Sequence, residues 1–481
     1  MFSKEIYVKR REELKKSVKS GIVLLLGNGE AAVNYAGNDY TFRQDSSFIY
    51  YVGLDTPNLA YILDVEQNKE YLFGDELTLD DIVWMGNLLS LKERAAEAGI
   101  DKVLPFSNLA TIIGNGLKSR RIIHYLKPYR YRNQLILSEI LGEKADSVAF
   151  GFSLELTQAI IRMRLIKSDE ELAELEDAGR MGYAMHIVAM KMCRPGVSER
   201  EIAGTIEGLA ISVGNRVAFP TILSMNGQTL HNHNHSGILK TGRLMLCDAG
   251  AENLNYYASD FTRTTAVGGE YGERQKNIHN IVLKALNDSI AMAKPGITYK
   301  SVHRNAYRII FEGLRDLGLV KGDTEAALEA GVPALFMPHG LGHAMGLDVH
   351  DMENLGETLV GYDEETKRDT LFGYRSLRFG KRLEAGHVLT VEPGIYFIPQ
   401  LIEKWEAEKI NAGFIRFDKL KDFYNFGGIR LEDDIVVTPQ GCRLVYEKRL
   451  PVAVEEIAET VSIYPRFETA RIGNVIDYRN K

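Results

Sequence analysis

The sequence has few cysteines, no long apolar run and no surplus of positive charge. Each shortage removes a class of protein. Its three cysteines, Cys193, Cys247 and Cys442, are scattered without paired spacing, so no disulfide framework carries the fold and the thiols suit a reducing compartment. No uninterrupted apolar stretch approaches the roughly 18 residues needed to cross a bilayer, and "IVLLL" at 22–26 is a short buried strand. The amino-terminal "MFSKEIYVKRREELKKSVKSG" is charged and helix-like and lacks the apolar centre of a signal peptide, which points to a cytoplasmic location and no membrane partner. With 58 basic and 65 acidic residues the net charge is -7, and nothing favours nucleic acid as a partner.

What is present is globular and large. The 45% hydrophobic and 26% charged residues exclude disorder. At 481 residues the chain exceeds the roughly 250 to 300 at which one core stops growing. Two domains are therefore expected, 1–156 and 157–481. In the first, "GIVLLLG", "SFIYYVG", "AYILDV", "KEYLFG", "DKVLPF" and "RRIIHYL" read as short strands alternating with helical patterns, the mark of an α/β domain on a mixed sheet. The "GNG" at 27–29 is a turn after a strand, since the rest of a nucleotide-binding fingerprint is missing.

The second domain opens with an amphipathic helix in "LIKSDEELAELEDAGRMGYAMHIVAMKM", with Ser168 and Glu171 in capping-box register. Helical patterns recur at 198–213, 274–293 and 299–318, and after 331 the chain turns to strands. This part is α+β, helices first and sheet after. Two mixed stretches, from Met352 and from Pro399, read as lids or partner-contact insertions.

Four acids stand within or at the ends of apolar strands: Asp248 in "RLMLCD", Asp260 in "YYASDFTRTTAV", Glu392 in "VLTVEPG" and Glu432 in "GGIRLEDD". A hairpin through "AENLN" would set Asp248 and Asp260 side by side. Any one of these acids alone is ordinarily explained by backbone hydrogen bonds or an arginine, with Arg263 and Arg430 at hand. Four converging carboxylates repel one another, and two divalent cations with a neighbouring imidazole would compensate them. That is the composition of a two-metal hydrolase. Asp433 and Asp434 read as solvated or structural, Asp433 facing away from Glu432 by strand alternation. "FMPHGLGHAMGLDVHD" at 336–351 holds His339, His343 and His350. Gly340, Gly342 and Gly346 make a zinc-protease helix there unfavourable and an extended, close-packed segment natural.

Taken in order, "CDAGAENLNYYASDFTRT", "HGLGHAMGLDVHD", "VLTVEPGIYF" and "GIRLEDDIV" resemble the motifs of the pita-bread metallopeptidases that cleave Xaa-Pro bonds, prolidase and aminopeptidase P. "FRQDSSFIYYVGL" resembles a segment of their amino-terminal domain. The resemblance implies an α/β amino-terminal domain ahead of a pita-bread catalytic domain, and metal ligands at Asp248, Asp260, His343, Glu392 and Glu432 for two divalent ions. Mn is expected first, with Co, Zn or Fe as alternatives. It further implies catalytic roles for His231, in "TLHNHNH", for His350, for Glu392 as proton shuttle and for Arg430, which would orient the neighbouring carboxylate. His339 would line the pocket. His233 and His235 share a face with His231 if that stretch is a strand, and His186 and His387 are structural.

"YRSLRFGKRLEAGHVLTVEPG" resembles the prolidase form of the region, with Arg378 as the reader of a substrate carboxylate. The expected activity is hydrolysis of Xaa-Pro dipeptides, with aminopeptidase P activity on longer proline-containing peptides as the alternative. A metal-free binding module and a creatinase-type amidinohydrolase are remote, because the ligand types are all present. A homodimer or higher homo-oligomer is implied by the resemblance.

Overall fold

The computed structural model describes residues 2–86 and 88–462. These form two compact units, one running to Ile166 and including Met352–Val360, the other comprising Lys167–Asp351 and the residues from Gly361 onward. The division thus falls at Ile166/Lys167 rather than 156/157. The helix Leu154–Leu165, capped by Ser153, buries Leu156, Ala159, Ile160 and Ile161 and groups with the first unit.

In the first unit a five-stranded mixed sheet runs in the order Val103–Leu104, Lys69–Phe73, Ala60–Asp64, Ile22–Leu26, Ile123–Tyr125. The central pairings are antiparallel and the two outer ones parallel. One face buries Ile22, Leu24, Ile62 and Phe73 against Leu109, Ile113 and Leu137 from flanking helices. The buried Arg11 holds the other elements together, donating to the carbonyls of Tyr51, Ala98 and Gly99 and pairing with Glu70 at 2.8 Å.

One expected strand is a helix. All of "SFIYYVG" but its glycine lies in the helix Ser46–Val52, where the Asp45 side chain accepts from the amide of Phe48 and Gly53 terminates the turn in the left-handed region. Every residue of this helix is buried, so its apolar run carries no periodicity that would separate helix from strand.

The second unit repeats itself. Helices Asp169–Met192 and Glu199–Val213 precede the antiparallel sheet Phe261–Ala266, Leu244–Ala249, Ile222–Ser224. Helices Glu273–Met292 and Tyr299–Asp316 precede the antiparallel sheet Val388–Val391, Asp433–Thr438, Gly441–Leu444. The turns within the two helix pairs match residue for residue in character, "MCRPGVS" at 192–198 and "MAKPGIT" at 292–298, and Ser198 and Thr298 cap the second helix of each pair. The order is therefore helices, sheet, helices, sheet, in place of helices followed by one sheet. Each leading helix covers its own sheet, so neither apolar surface waits for a distant partner.

The two carboxyl-terminal apolar runs each split in two. Pro393 cannot donate to a ladder, and "VLTVEPGIY" changes partner there: Val388–Val391 pairs with Asp433–Thr438, Gly394–Tyr396 with Gly428–Arg430. Glu392 and Glu432 stand at these two breaks, where the backbone turns from one ladder to the next.

Among the described residues no helix is long and apolar enough to cross a membrane. The stretch from Pro399 is not an open lid. It forms helices Pro399–Ala407 and Phe417–Leu420, buries Ile402, Trp405 and Leu420, and stacks Phe423 on Phe397 with ring centroids 4.4 Å apart.

Candidate active site and metal centre

Hairpin geometry brings the first two acids together. Asp248 is opposite Thr262, and Ala249 opposite Phe261, so Asp260 is the diagonal neighbour of Asp248 on the same face rather than its direct partner. Gly250 permits this closeness, since a Cβ there would lie 1.8 Å from the carbonyl oxygen of Ser259. The other half-site is joined at two points: the amide of Glu432 donates to the carbonyl of Thr262 at 3.0 Å, and the amide of Asp260 donates to Asp434 Oδ2 at 2.9 Å.

The histidine segment is non-helical, as its glycines require. Gly342 crosses the strand Val388–Val391 so closely that a Cβ would stand 2.1 Å from the Thr390 carbonyl oxygen. His343 is then fixed by its backbone, its amide donating to Thr390 Oγ1 and its carbonyl accepting from the Thr390 amide at 3.1 Å. Its Nδ1 donates to the Ala344 carbonyl at 3.2 Å. Nε2 therefore faces Asp260 Oδ2 at 3.4 Å and Glu392 Oε1 at 3.9 Å.

Acceptor faces acceptor across this site. Asp260, His343 and Glu432 each bring one ligand atom within 4.8 Å of the other two. Asp248 Oδ1 and Asp260 Oδ1 are buried without a hydrogen-bond partner. Burial, with the charge of Asp248, holds the Asp260 carboxyl well above the ordinary range. Burial with Asp260 and Glu392 does the same to Glu432. Desolvation pushes Glu392 up to about 7, with His343 and Arg430 opposing and Asp260 and Asp248 adding to the rise. Hard oxygen donors plus one imidazole nitrogen, gathered against their own repulsion, fit divalent cations.

Arg430 ties the acids to the pocket wall. Its Nη2 pairs with Asp248, its Nη1 donates to Tyr396 Oη at 2.8 Å, and its Nε donates to Thr262 Oγ1 at 3.1 Å. Thr262 in turn donates to Glu432 Oε2 at 2.7 Å. Arg430 thus touches Asp248 directly and reaches the nearby Glu432 only through a hydroxyl. Tyr396 Oη donates a hydrogen bond to His339 Nε2 at 2.9 Å, while His339 Nδ1 donates to the Gly340 carbonyl at 2.8 Å. Both ring nitrogens of His339 are engaged within the chain, and burial with the nearby Arg430 charge lowers its pKa to about 3.

These groups line a cavity of about 320 Å³ that also contains His231, His233, His350 and Arg378, with Phe219, Ile222, Leu230 and Val349 as apolar wall. His350 stands edge-on to His343, ring centroids 4.3 Å apart, and its Nδ1 accepts from Arg378 Nη1 at 2.8 Å. The ring proton of neutral His350 is consequently on Nε2. Burial and the charges of His343 and Arg378 keep it neutral. Arg375 and Arg382, sequence neighbours of Arg378, are exposed, so of these three arginines Arg378 alone lines the pocket.

Several placements differ from expectation. His231 and His233 both line the cavity, but residues 226–236 form a loop, not a strand. The loop follows the strand Ile222–Ser224 because His233 and His235 offer Nδ1 to the carbonyls of Thr221 and Leu223. Of the solvated and structural readings of Asp433 and Asp434 the structural one holds, each being 2% exposed. Asp433 pairs with Arg263 at 2.6 Å and Arg449 at 2.7 Å, and Asp434 supports Asp260. Nothing in the sequence distinguishes Tyr396 and Thr262 from ordinary strand residues, and nothing local there ties Asp434 to Asp260. His186 and His387 are buried, His186 Nε2 meeting the Ala249 carbonyl at 3.0 Å.

Residues 173–439 match metallopeptidase family M24, and residues 7–124 match the aminopeptidase P N-terminal domain. The chain is 32% identical over 460 residues to the Xaa-Pro dipeptidase of Rattus norvegicus, covering 93% of this chain and 90% of that protein. It is also 32% identical over 427 residues to a probable Xaa-Pro aminopeptidase of Fusarium vanettenii, covering 88% of each. Among solved structures it is similar to proline aminopeptidase P II from Yersinia pestis, with a TM-score of 0.78, 29% identity, and coverage of 96% of this chain and 100% of that one. E. coli aminopeptidase P with the inhibitor Pro-Leu superposes with a TM-score of 0.77 at 29% identity, over 96% and 98% of the two chains. The chain belongs to metallopeptidase family M24, with an aminopeptidase P N-terminal domain preceding a pita-bread catalytic domain.

Proposed function

We propose that this chain hydrolyses the peptide bond on the amino side of proline and that its preferred substrates are Xaa-Pro dipeptides. The observation that carries the dipeptide preference is Arg378, which lines the same cavity as the acid cluster and lies 2.8 Å from His350. In a dipeptide the proline carboxylate follows the scissile bond directly, and a guanidinium is the side chain best shaped to receive it. The second reading, an aminopeptidase acting on longer peptides, is favoured by the names of the fungal and bacterial relatives.

Asp248, Asp260, His343, Glu392 and Glu432 would hold two divalent ions, Mn first. When bound, such ions supply activated water near neutral pH and a Lewis acid for the carbonyl. The chain's own residues do the rest. His350 donates from Nε2 to the carbonyl oxygen as that oxygen gains charge. Glu392 carries a proton to the proline nitrogen as the C–N bond breaks. Arg430 holds Asp248 by direct pairing and Glu432 through Thr262. His231 lines the cavity beside Leu230, and His339, with both nitrogens engaged, shapes the pocket with its ring. The proposal includes a homo-oligomer, supported by the exposed Leu79, Val83, Trp84 and Met85 of the first unit.

Replacing Arg378 by Ala tests the dipeptide reading. KM for Ala-Pro rises about tenfold or more, as loss of a hydrogen bond to a charged group would give, while KM for Ala-Pro-Ala is little changed; loss of the Arg378–His350 hydrogen bond lowers kcat for both peptides alike. Equal effects on KM for both peptides would contradict it.

A further inference from the structure

One buried acid lies outside the cavity and is not used above. Glu199 is the first residue of the helix Glu199–Val213 and is 3% exposed. Its two carboxylate oxygens receive two different backbone amides, Met225 N–H on Oε1 at 2.8 Å and Gly237 N–H on Oε2 at 2.9 Å. Its own amide donates to the Gly237 carbonyl at 2.9 Å. Met225 and Gly237 are the two ends of the loop 226–236, and that loop contributes Leu230, His231 and His233 to the cavity.

The loop has no regular secondary structure of its own, so its shape depends on what fastens its ends. A carboxylate is suited to this because it accepts at both oxygens, and such charge-assisted bonds are stronger than neutral ones. Gly237 is fitted to the same acid, since a Cβ there would stand 2.6 Å from the Glu199 carboxylate. Within the loop, Asn232 Nδ2 donates to Ser224 Oγ at 3.0 Å, and His233 and His235 follow the strand. Helix start, loop and strand edge form one frame around the histidine wall.

We propose that Glu199 is a positioning residue for the peptidase reaction, a two-ended clamp that sets the loop bearing His231 against the substrate without touching substrate itself. The proposal rests on the Xaa-Pro peptidase reading for its kinetic consequence, and on backbone geometry for the clamp. Glu199→Gln is the informative change. The amide keeps one acceptor oxygen but sets its NH2 group against one of the two backbone donors, so one end of the loop is released at nearly constant volume.

The test combines kinetics with amide hydrogen exchange on the full-length, Mn-loaded protein. Glu199→Gln is expected to lower kcat/KM for Ala-Pro by about tenfold, the scale of one hydrogen bond to a charged group, to leave bound Mn per chain unchanged, and to speed exchange at Met225 or Gly237. In a His231→Ala background the same substitution is expected to cost little further, because its effect passes through the loop. An equal cost in both backgrounds would show general destabilisation and overturn the proposal, as would unchanged exchange at both amides. Gly237→Ala, which crowds the clamp from the loop side, is expected to reproduce the kinetic loss if Glu199→Gln does not fold. Wild-type kcat/KM in that variant would also overturn it. If the wild-type protein cleaves no Xaa-Pro peptide, the peptidase reading fails separately, and exchange at the two amides still decides whether the clamp exists.

Discussion

Asp433 and Glu432 are adjacent, equally buried at 2% exposure, and have opposite electrostatic fates. Asp433 faces Arg263 and Arg449. Burial alone would raise its pKa, yet the two guanidinium groups hold it below the ordinary range. Glu432 faces Asp260, Glu392 and Asp248, and burial together with these charges holds it well above. One peptide unit separates a carboxylate neutralised within the chain from one whose partner has to come from outside it. Burial of an acid is thus uninformative until the charges around it are counted.

The largest effect expected from this contrast is on the unneutralised side. Glu432→Ala or Asp260→Ala should abolish stoichiometric divalent binding, read by elemental analysis, and reduce turnover of Ala-Pro by at least about a thousandfold, roughly 4 kcal/mol of barrier. Retained turnover in either variant would remove these residues from the centre. On the neutralised side, Asp433→Asn leaves Arg263 buried without its carboxylate and should cost about 3 kcal/mol of stability, seen as a lower Tm. Bound metal and kcat per folded molecule should stay near wild type, and loss of metal would erase the distinction between the two sides.

A smaller effect follows from pH. Asp260, Glu392 and Glu432 have raised pKa values in the folded chain, so folding favours their protonated forms. Their contribution to stability is present below the ordinary carboxyl pKa and is lost as pH rises toward the folded values, about 7 for Glu392. Chelated protein should therefore lose Tm between pH 5 and pH 8 (on the order of the ordinary-to-folded pKa window). Divalent ions compensate the carboxylates and should raise Tm by roughly 5 °C, more at the upper end of that range. A gap that narrows with pH would contradict the assignment of repelling acids.

The acids were legible in the sequence because a carboxylate inside an apolar strand is anomalous wherever it occurs, and Asp248, Asp260, Glu392 and Glu432 do converge. Their supports were not. Asp434 reaches Asp260 across 174 positions and Thr262 reaches Glu432 across 170, and no local pattern encodes such pairs. The duplicated helix pair was present as "CRPGVS" and "AKPGIT" but is too short to register as a repeat by eye. The helix Ser46–Val52 was misread because burial on every side removes the periodicity that sequence reading depends on. The non-helical histidine segment was legible for a steric reason, since Gly340 and Gly342 mark where its backbone passes other backbone at close range.

Hydrolysis of Ala-Pro and of Ala-Pro-Ala by the same Mn-loaded preparation, repeated after chelation, tests the central claim most directly. The account predicts cleavage of the dipeptide, little cleavage of the tripeptide, and loss of activity on chelation that added Mn restores. Cleavage of the tripeptide as fast as the dipeptide would contradict the role of Arg378 as a carboxylate reader, and chelator-resistant hydrolysis would contradict the metal centre itself.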